Sequence, residues 1–121
     1  MTTISARVPV RLVNALNARE HWAVRAKRAK AQRQATKLAM YKACRLIAMD
    51  PGTPITVTIT RCGGRRMDDD GLIASAKHVR DGVADWLWID DGSPRITWLV
   101  RQDSAPRGKH WADVLVQWGD A

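Results

Sequence analysis

Three consecutive carboxylates, Asp68-Asp69-Asp70, and a second pair, Asp90-Asp91, are the residues of this chain whose type and spacing could do chemistry. The chain carries a formal charge of +8, yet five of its twelve acidic residues sit in these two clusters. Adjacent carboxylates repel one another unless a cation or basic groups compensate. Oxygen ligands of this kind suit a hard ion such as Mg²⁺ or Mn²⁺, and neither cluster contains a Cys or His that would favour zinc. If the first cluster is extended, side chains at alternate positions share a face. Asp68 and Asp70 are then expected to converge on one ion, with Asp69 turned away and Asp91 arriving as a third ligand from the turn after the following helix. The competing reading is structural: an Asp can cap a helix N-terminus, and Asp-Gly after a helix is ordinary turn chemistry. Only one of three consecutive Asp can be the cap, although Arg65 and Arg66 could balance the others without a metal.

The charge balance suggests the partner. Twenty Lys and Arg against twelve Asp and Glu give a pI near 10.3, and such a surplus favours polyanions through counterion release from phosphates. No run approaches the roughly 18 apolar residues of a membrane span, and no leader-like segment opens the chain, so a cytoplasmic protein without a membrane partner is expected. Cys44 and Cys62 lie far apart, and His21, His78 and His110 form no zinc-type spacing with them, which leaves two reduced structural thiols as the expectation. Six Trp and no Phe raise base stacking as an idea. Trp86, Trp98 and Trp118 fall instead in amphipathic segments where core residues belong.

The elements that must position the carboxylates can be read from periodicity. Residues 4–10 suggest a strand and residues 11–20 a loop. Residues 21–49 are Ala-rich and helix-forming, stopped by Asp50-Pro51-Gly52. On that helix Ala31, Ala35, Leu38, Ala39 and Leu46 are expected to line the buried side, with Lys30, Arg33 and Lys37 opposite. Arg25, Lys27, Arg28, Lys30, Arg33 and Lys37 form a basic face that suits phosphate contact or simply water. Residues 54–60 alternate Ile and Val with Thr, as a strand does. After Cys62-Gly63-Gly64 and the aspartates, Leu72, Ala76, Val79, Val83 and Leu87 mark a second helix. Residues 95–101 and 111–118 alternate as strands, and Pro106 and Gly108 between them suggest a hairpin loop. One α+β domain over residues 1–121 follows, in the order βαβαββ, with two helices packed on a mixed sheet.

Lys77 lies seven residues after Asp70, two helical turns along the same side, and its side chain tilts back towards the acidic cluster. It could meet a phosphate there, or pair with Asp81 at i+4. The segment Arg65-Arg66-Met67-Asp68-Asp69-Asp70-Gly71-Leu72, with Lys77, Asp81-Gly82 and Ile89-Asp90-Asp91, resembles the RusA family of Holliday-junction resolvases. Asn17, His21-Trp22 and the basic helix are similar to its phage-encoded members. The resemblance implies a RusA-like fold and a Mg²⁺-dependent endodeoxyribonuclease, with Mn²⁺ as a substitute, acting as a homodimer on four-way junctions in DNA recombination and repair. It implies Asp68, Asp70 and Asp91 as metal ligands and catalytic residues, Lys77 as the catalytic cation near the phosphate, and the basic residues above with Arg65 and Arg66 as DNA contacts. The family usually has Asn where this chain has Gly71. The alternative is a non-catalytic branched-DNA-binding protein with a degenerate acidic site.

Overall fold

Four strands and three helices make up the residues described by the computed structural model, 1–14 and 21–119. In chain order they are β1 (Thr2–Val8), α1 (Trp22–Ala43), β2 (Ile55–Cys62), α2 (Asp69–Ser75), α3 (Lys77–Leu87), β3 (Ile96–Asp103) and β4 (Trp111–Trp118). The strands form one mixed sheet in the order β1-β4-β2-β3. β4 runs antiparallel to both β1 and β2, whereas β2 and β3 are parallel. The molecule is thus a small α+β domain. None of its described helices is long and apolar enough to cross a membrane.

Period-two alternation decides which sheet face is buried. Ile55, Val57 and Ile59 of β2 and Ala112, Val114, Val116 and Trp118 of β4 all lie in the core, while Thr56, Thr58 and Thr60 are half-buried on the other face. The expected pairing of the last two strands does not occur: β3 pairs with β2 alone, and β4 sits between β1 and β2. Alternation specifies a strand's face but not its neighbour. β4 buries every second residue and takes a central place, whereas β3 buries only Ile96 and takes the edge. The loop with Pro106 and Gly108 is therefore a crossover past β2.

The long helix begins where expected, with the His21 imidazole accepting from the Ala23 N–H at 3.2 Å as N-cap. It ends at Ala43, short of residue 49. There the Cys44 N–H donates to the Met40 carbonyl at 2.8 Å, and the buried Trp86 indole donates to the Cys44 carbonyl at 2.9 Å. The buried face matches expectation only in part, Ala35 and Ala39 packing against the core. Gln32, Thr36 and Met40, spaced i, i+4 and i+8, are buried, whereas Ala31, Leu38 and Leu46 are exposed. The cause is close helix crossing: a Cβ added to Gly82 of α3 would lie 2.6 Å from the Arg33 carbonyl oxygen and 2.7 Å from Thr36 Cβ. The polar residues on this face are satisfied, with Thr36 Oγ1 donating to the Gln32 carbonyl at 2.7 Å and Gln32 Nε2 to the Arg11 carbonyl at 2.8 Å.

The second helix is broken in two. The Ala76 N–H donates three residues back, to the Ile73 carbonyl at 3.2 Å, closing α2 with a tight turn before α3 starts. The apolar stripe survives the break, since Leu72, Ala76, Val79, Val83 and Leu87 are all buried. α3 closes on Trp88, held in the left-handed region at φ 58° without being glycine, and Asp90-Asp91 follow at once.

α1 and α3 are also tied by charge. Arg33 donates to Asp85 through Nε at 2.6 Å and Nη2 at 2.8 Å, and this bond holds the Asp85 carboxyl below the usual carboxylate range. A carboxylate with a depressed folded pKa stabilises the fold above its unfolded pKa of about 3.9 and loses that contribution as pH falls through the folded value. Asp85→Asn is expected to cost about 0.5–1 kcal/mol at pH 7, a partly exposed pair being screened by water. The deficit should vanish when melting midpoints are compared at progressively lower pH below the ordinary Asp range. A deficit independent of pH would assign the effect to packing.

Candidate functional site

The loop from β2 to α2 is held by residues on both sides. Arg61, buried near the end of β2, donates from Nη1 to the Arg65 carbonyl at 2.9 Å. Gln102 of β3 clamps Met67 twice: its Oε1 accepts the Met67 N–H at 2.9 Å and its Nε2 donates to the Met67 carbonyl at 2.8 Å. Asp68 then leaves this scaffold in extended conformation, φ −68° and ψ 168°. Its Oδ1 accepts the Gly71 N–H at 2.8 Å, and its carbonyl accepts the Leu72 N–H at 2.9 Å. Asp68 is therefore the N-cap of α2.

The expectation of an extended Asp68–Asp70 segment is corrected here, because the helix begins at Asp69. Strand alternation therefore does not relate Asp68 to Asp70, since Asp68 is the extended cap and Asp70 lies within the helix. Asp69 and Asp70 occupy the first turn, where the aligned peptide dipoles favour negative charge. All three aspartates are exposed, and the exposed Arg65 and Arg66 precede them.

The second cluster is differently employed. Asp90 Oδ1 accepts the Gly92 N–H at 2.9 Å, which is turn chemistry. The Asp91 carbonyl accepts from Arg80 Nη2 at 3.1 Å and from Trp98 Nε1 at 2.9 Å, and its carboxylate lies 3.6 Å from Arg80 Nε. Arg80 in turn stacks over Trp98, 4.9 Å from the ring centroid. Lys77 Nζ stands 3.6 Å from the Asp81 carboxylate, the i+4 pair weighed as its alternative role.

Met67 is tied to Gln102, and Asp91 to Trp98, four residues earlier on β3. Among the described residues no three His, Cys, Asp or Glu come together in a group that could hold a metal ion. Within one chain, then, the acidic turn offers neighbouring carboxylates for a hard cation, with one Asp68 oxygen engaged in the cap.

The basic residues divide by environment. Residues 22–27 of α1 are exposed on every side, so the helix projects past the body with Arg25 and Lys27 on it. Lys30 and Lys37 are also exposed, Arg28 is half-buried, and Arg33 is engaged by Asp85. Trp22 is 69% exposed at the start of this projection, its ring centroid 5.4 Å from that of His21. Asn17 lies outside the described residues. Sequence reasoning missed Arg61, Gln102 and Arg80, the side chains that hold the two acidic segments; as single polar residues in or beside strands they carry no motif signal. No family model matches the chain, and no curated protein matches it.

Proposed function

We propose that this protein is a Mg²⁺-dependent, structure-selective endodeoxyribonuclease of the RusA type, cutting four-way or related branched DNA by paired phosphodiester hydrolysis. The observation that carries the reading is the braced, exposed acidic turn Asp68-Asp69-Asp70, preceded by Arg65 and Arg66, in a chain of net charge +8. A purely structural turn needs one cap, and Asp68 already supplies it. Two further exposed carboxylates in a protein suited to polyanions oppose DNA binding unless a cation stands between them and the phosphate.

Mg²⁺, or Mn²⁺ in its place, supplies Lewis-acid chemistry for phosphodiester hydrolysis when bound. Asp68 and Asp70 are the residues to hold it. Arg65, Arg66, Arg25, Lys27, Arg28, Lys30 and Lys37 bind the DNA backbone, and Lys77 neutralises charge on the phosphate at the cost of its surface pair with Asp81. Asp91 is the third carboxylate of this reading. A two-fold homodimer then has two equivalent sites, which suits paired nicks across a junction. The setting is the cytoplasm of a bacterial or phage-infected cell.

One observation favours a second reading, a binding protein that does not cut: Asp68 Oδ1 has a structural role as the cap of α2. The test is incubation of the purified protein with an end-labelled four-way junction and with linear duplex, in Mg²⁺ or in chelator, resolved on a denaturing gel. Junction-selective, Mg²⁺-dependent nicks are expected. Tight junction binding without scission in Mg²⁺ or Mn²⁺ would replace the nuclease reading with the binding one.

A further inference from the structure

Asn14 and Gly71 compete for one volume. Gly71 is buried in the first turn of α2. A Cβ built on it would lie 2.7 Å from Asp68 Oδ1 and 2.9 Å from Asn14 Cγ, and closer still to the Asn14 amide nitrogen. A side chain at residue 71 would therefore force the Asn14 carboxamide or the Asp68 carboxylate to move, since the Asn14 carboxamide occupies the space it would enter. The carboxamide does so beside the carboxylate that caps α2.

Asn14 is brought there by a segment anchored at several points. The Val10 N–H donates to the Val8 carbonyl at 2.8 Å, the Arg11 carbonyl accepts from buried Gln32 at 2.8 Å, and Leu12 is 3% exposed within the core. The carboxamide is therefore delivered from β1's end to α2's start, between elements distant in sequence. A carboxamide has two N–H donors, and an ionised carboxylate can only accept. The Asn14 carboxamide and Asp68 Oδ1 thus both border the point where a Cβ of residue 71 would stand.

We propose that Asn14 is a positioning residue for the acidic turn: its carboxamide, filling the space left by the absent side chain at Gly71, fixes the Asp68 carboxylate and the entry of α2. The effect on Mg²⁺ and on cleavage rests on the nuclease reading; the positioning itself does not. Gly71→Asn alone drives a side chain into Asn14. Combining it with Asn14→Gly moves the carboxamide from the loop onto the helix, within the same volume.

The experiment compares the wild type, Asn14→Ala, Gly71→Asn and the double variant Asn14→Gly with Gly71→Asn. Three quantities are read: amide hydrogen exchange at residue 71, Mg²⁺ affinity by titration calorimetry, and junction cleavage alongside junction binding. Asn14→Ala is expected to speed exchange at residue 71 about tenfold, the size of one weakened hydrogen bond. It should lower Mg²⁺ affinity and the cleavage rate by about tenfold or more, as loss of a ligand-orienting neighbour does, while junction binding is unchanged. The double variant should recover exchange protection, Mg²⁺ affinity and cleavage; Gly71→Asn alone should not.

Unchanged exchange at residue 71 in Asn14→Ala overturns the proposal whether or not the wild type cuts DNA. Altered exchange with wild-type Mg²⁺ affinity and cleavage also overturns it, reducing Asn14 to part of the helix cap. A wild type that neither binds Mg²⁺ nor cuts, with exchange responding and rescued as expected, sinks the nuclease reading and leaves the positioning upheld. If Asn14→Ala does not fold, a folded double variant supports the shared volume and an unfolded one refutes it.

Discussion

Asp70→Asn is expected to abolish junction cleavage while leaving junction binding equal or tighter. The substitution removes one negative charge and changes little else. Asp70 is exposed in the first turn of α2 and is not the cap, which belongs to Asp68. The structural cost is its interaction with the helix dipole, about 0.3–1 kcal/mol. If the carboxylate holds the hard cation, its loss should lower the cleavage rate by about a thousandfold, roughly 4 kcal/mol of transition-state stabilisation. Electrostatics pushes binding the other way, since Asp70 repels the phosphates that the basic surface attracts. Gel cleavage and binding titrations at two salt concentrations separate the effects. Cleavage at the wild-type rate would remove Asp70 from the chemistry, and binding lost together with cleavage would mean that the turn serves DNA contact or folding instead.

Trp86→Ala is expected to cost about 3–5 kcal/mol, the range for emptying a large aromatic site in a core. Trp86 is 1% exposed, and its indole N–H holds the carbonyl of Cys44 where α1 ends. The change removes both the packing that joins α3 to α1 and the hydrogen bond that stops α1. Small domains have only about 5–15 kcal/mol in total, so the variant should stand close to unfolding at ordinary temperature. Urea denaturation followed by circular dichroism measures this, with the midpoint falling and the slope kept. A loss below about 1 kcal/mol would mean that the core closes over the gap, against the close packing that cores generally show.

Much of this architecture was legible because the relevant signals are local. Ile55, Val57 and Ile59 alternate with threonines and bury as a strand's inner face must. Leu72, Ala76, Val79, Val83 and Leu87 keep one apolar stripe, and all are buried despite the break at Ala76. Trp86 and Trp118 sit in the core as their segments implied, with Trp98 packed against it. The features that were not legible depend on partners far away in the chain. The inner face of α1 carries Gln32, Thr36 and Met40 because Gly82 lets α3 approach the backbone there. A hydrophobicity pattern cannot show a polar face whose hydrogen bonds are satisfied by the Arg11 carbonyl and by its own helix. The turn residues between β3 and β4 announced a reversal, but strand neighbours are set by the whole sheet.

The candidate site divides in the same way. The acidic residues and the flanking arginines were visible as composition, and Asp68 as a possible cap. Hidden were the supports: Gln102 on Met67, Arg61 on Arg65, Arg80 on Asp91 and Asn14 against Gly71. Each is a single polar residue whose meaning comes from a contact between distant segments. Asp91 was matched to Asp68 and Asp70 by motif, while the Arg80 and Trp98 contacts that hold its backbone carried no such signal.

The position of β4 has a consequence for how the protein is made. Residues 111–118 lie between β1, formed by residues 2–8, and β2, so both antiparallel pairings wait for the last strand in the order. During synthesis β1 therefore has no strand to pair with until translation has passed Trp118, and the ribosome must release nearly the whole described chain before the sheet closes. Pairings between distant segments form slowly, because the intervening loop must close before any contact repays its entropy. Until then a polypeptide stalled before residue 111 has no central strand to fold around.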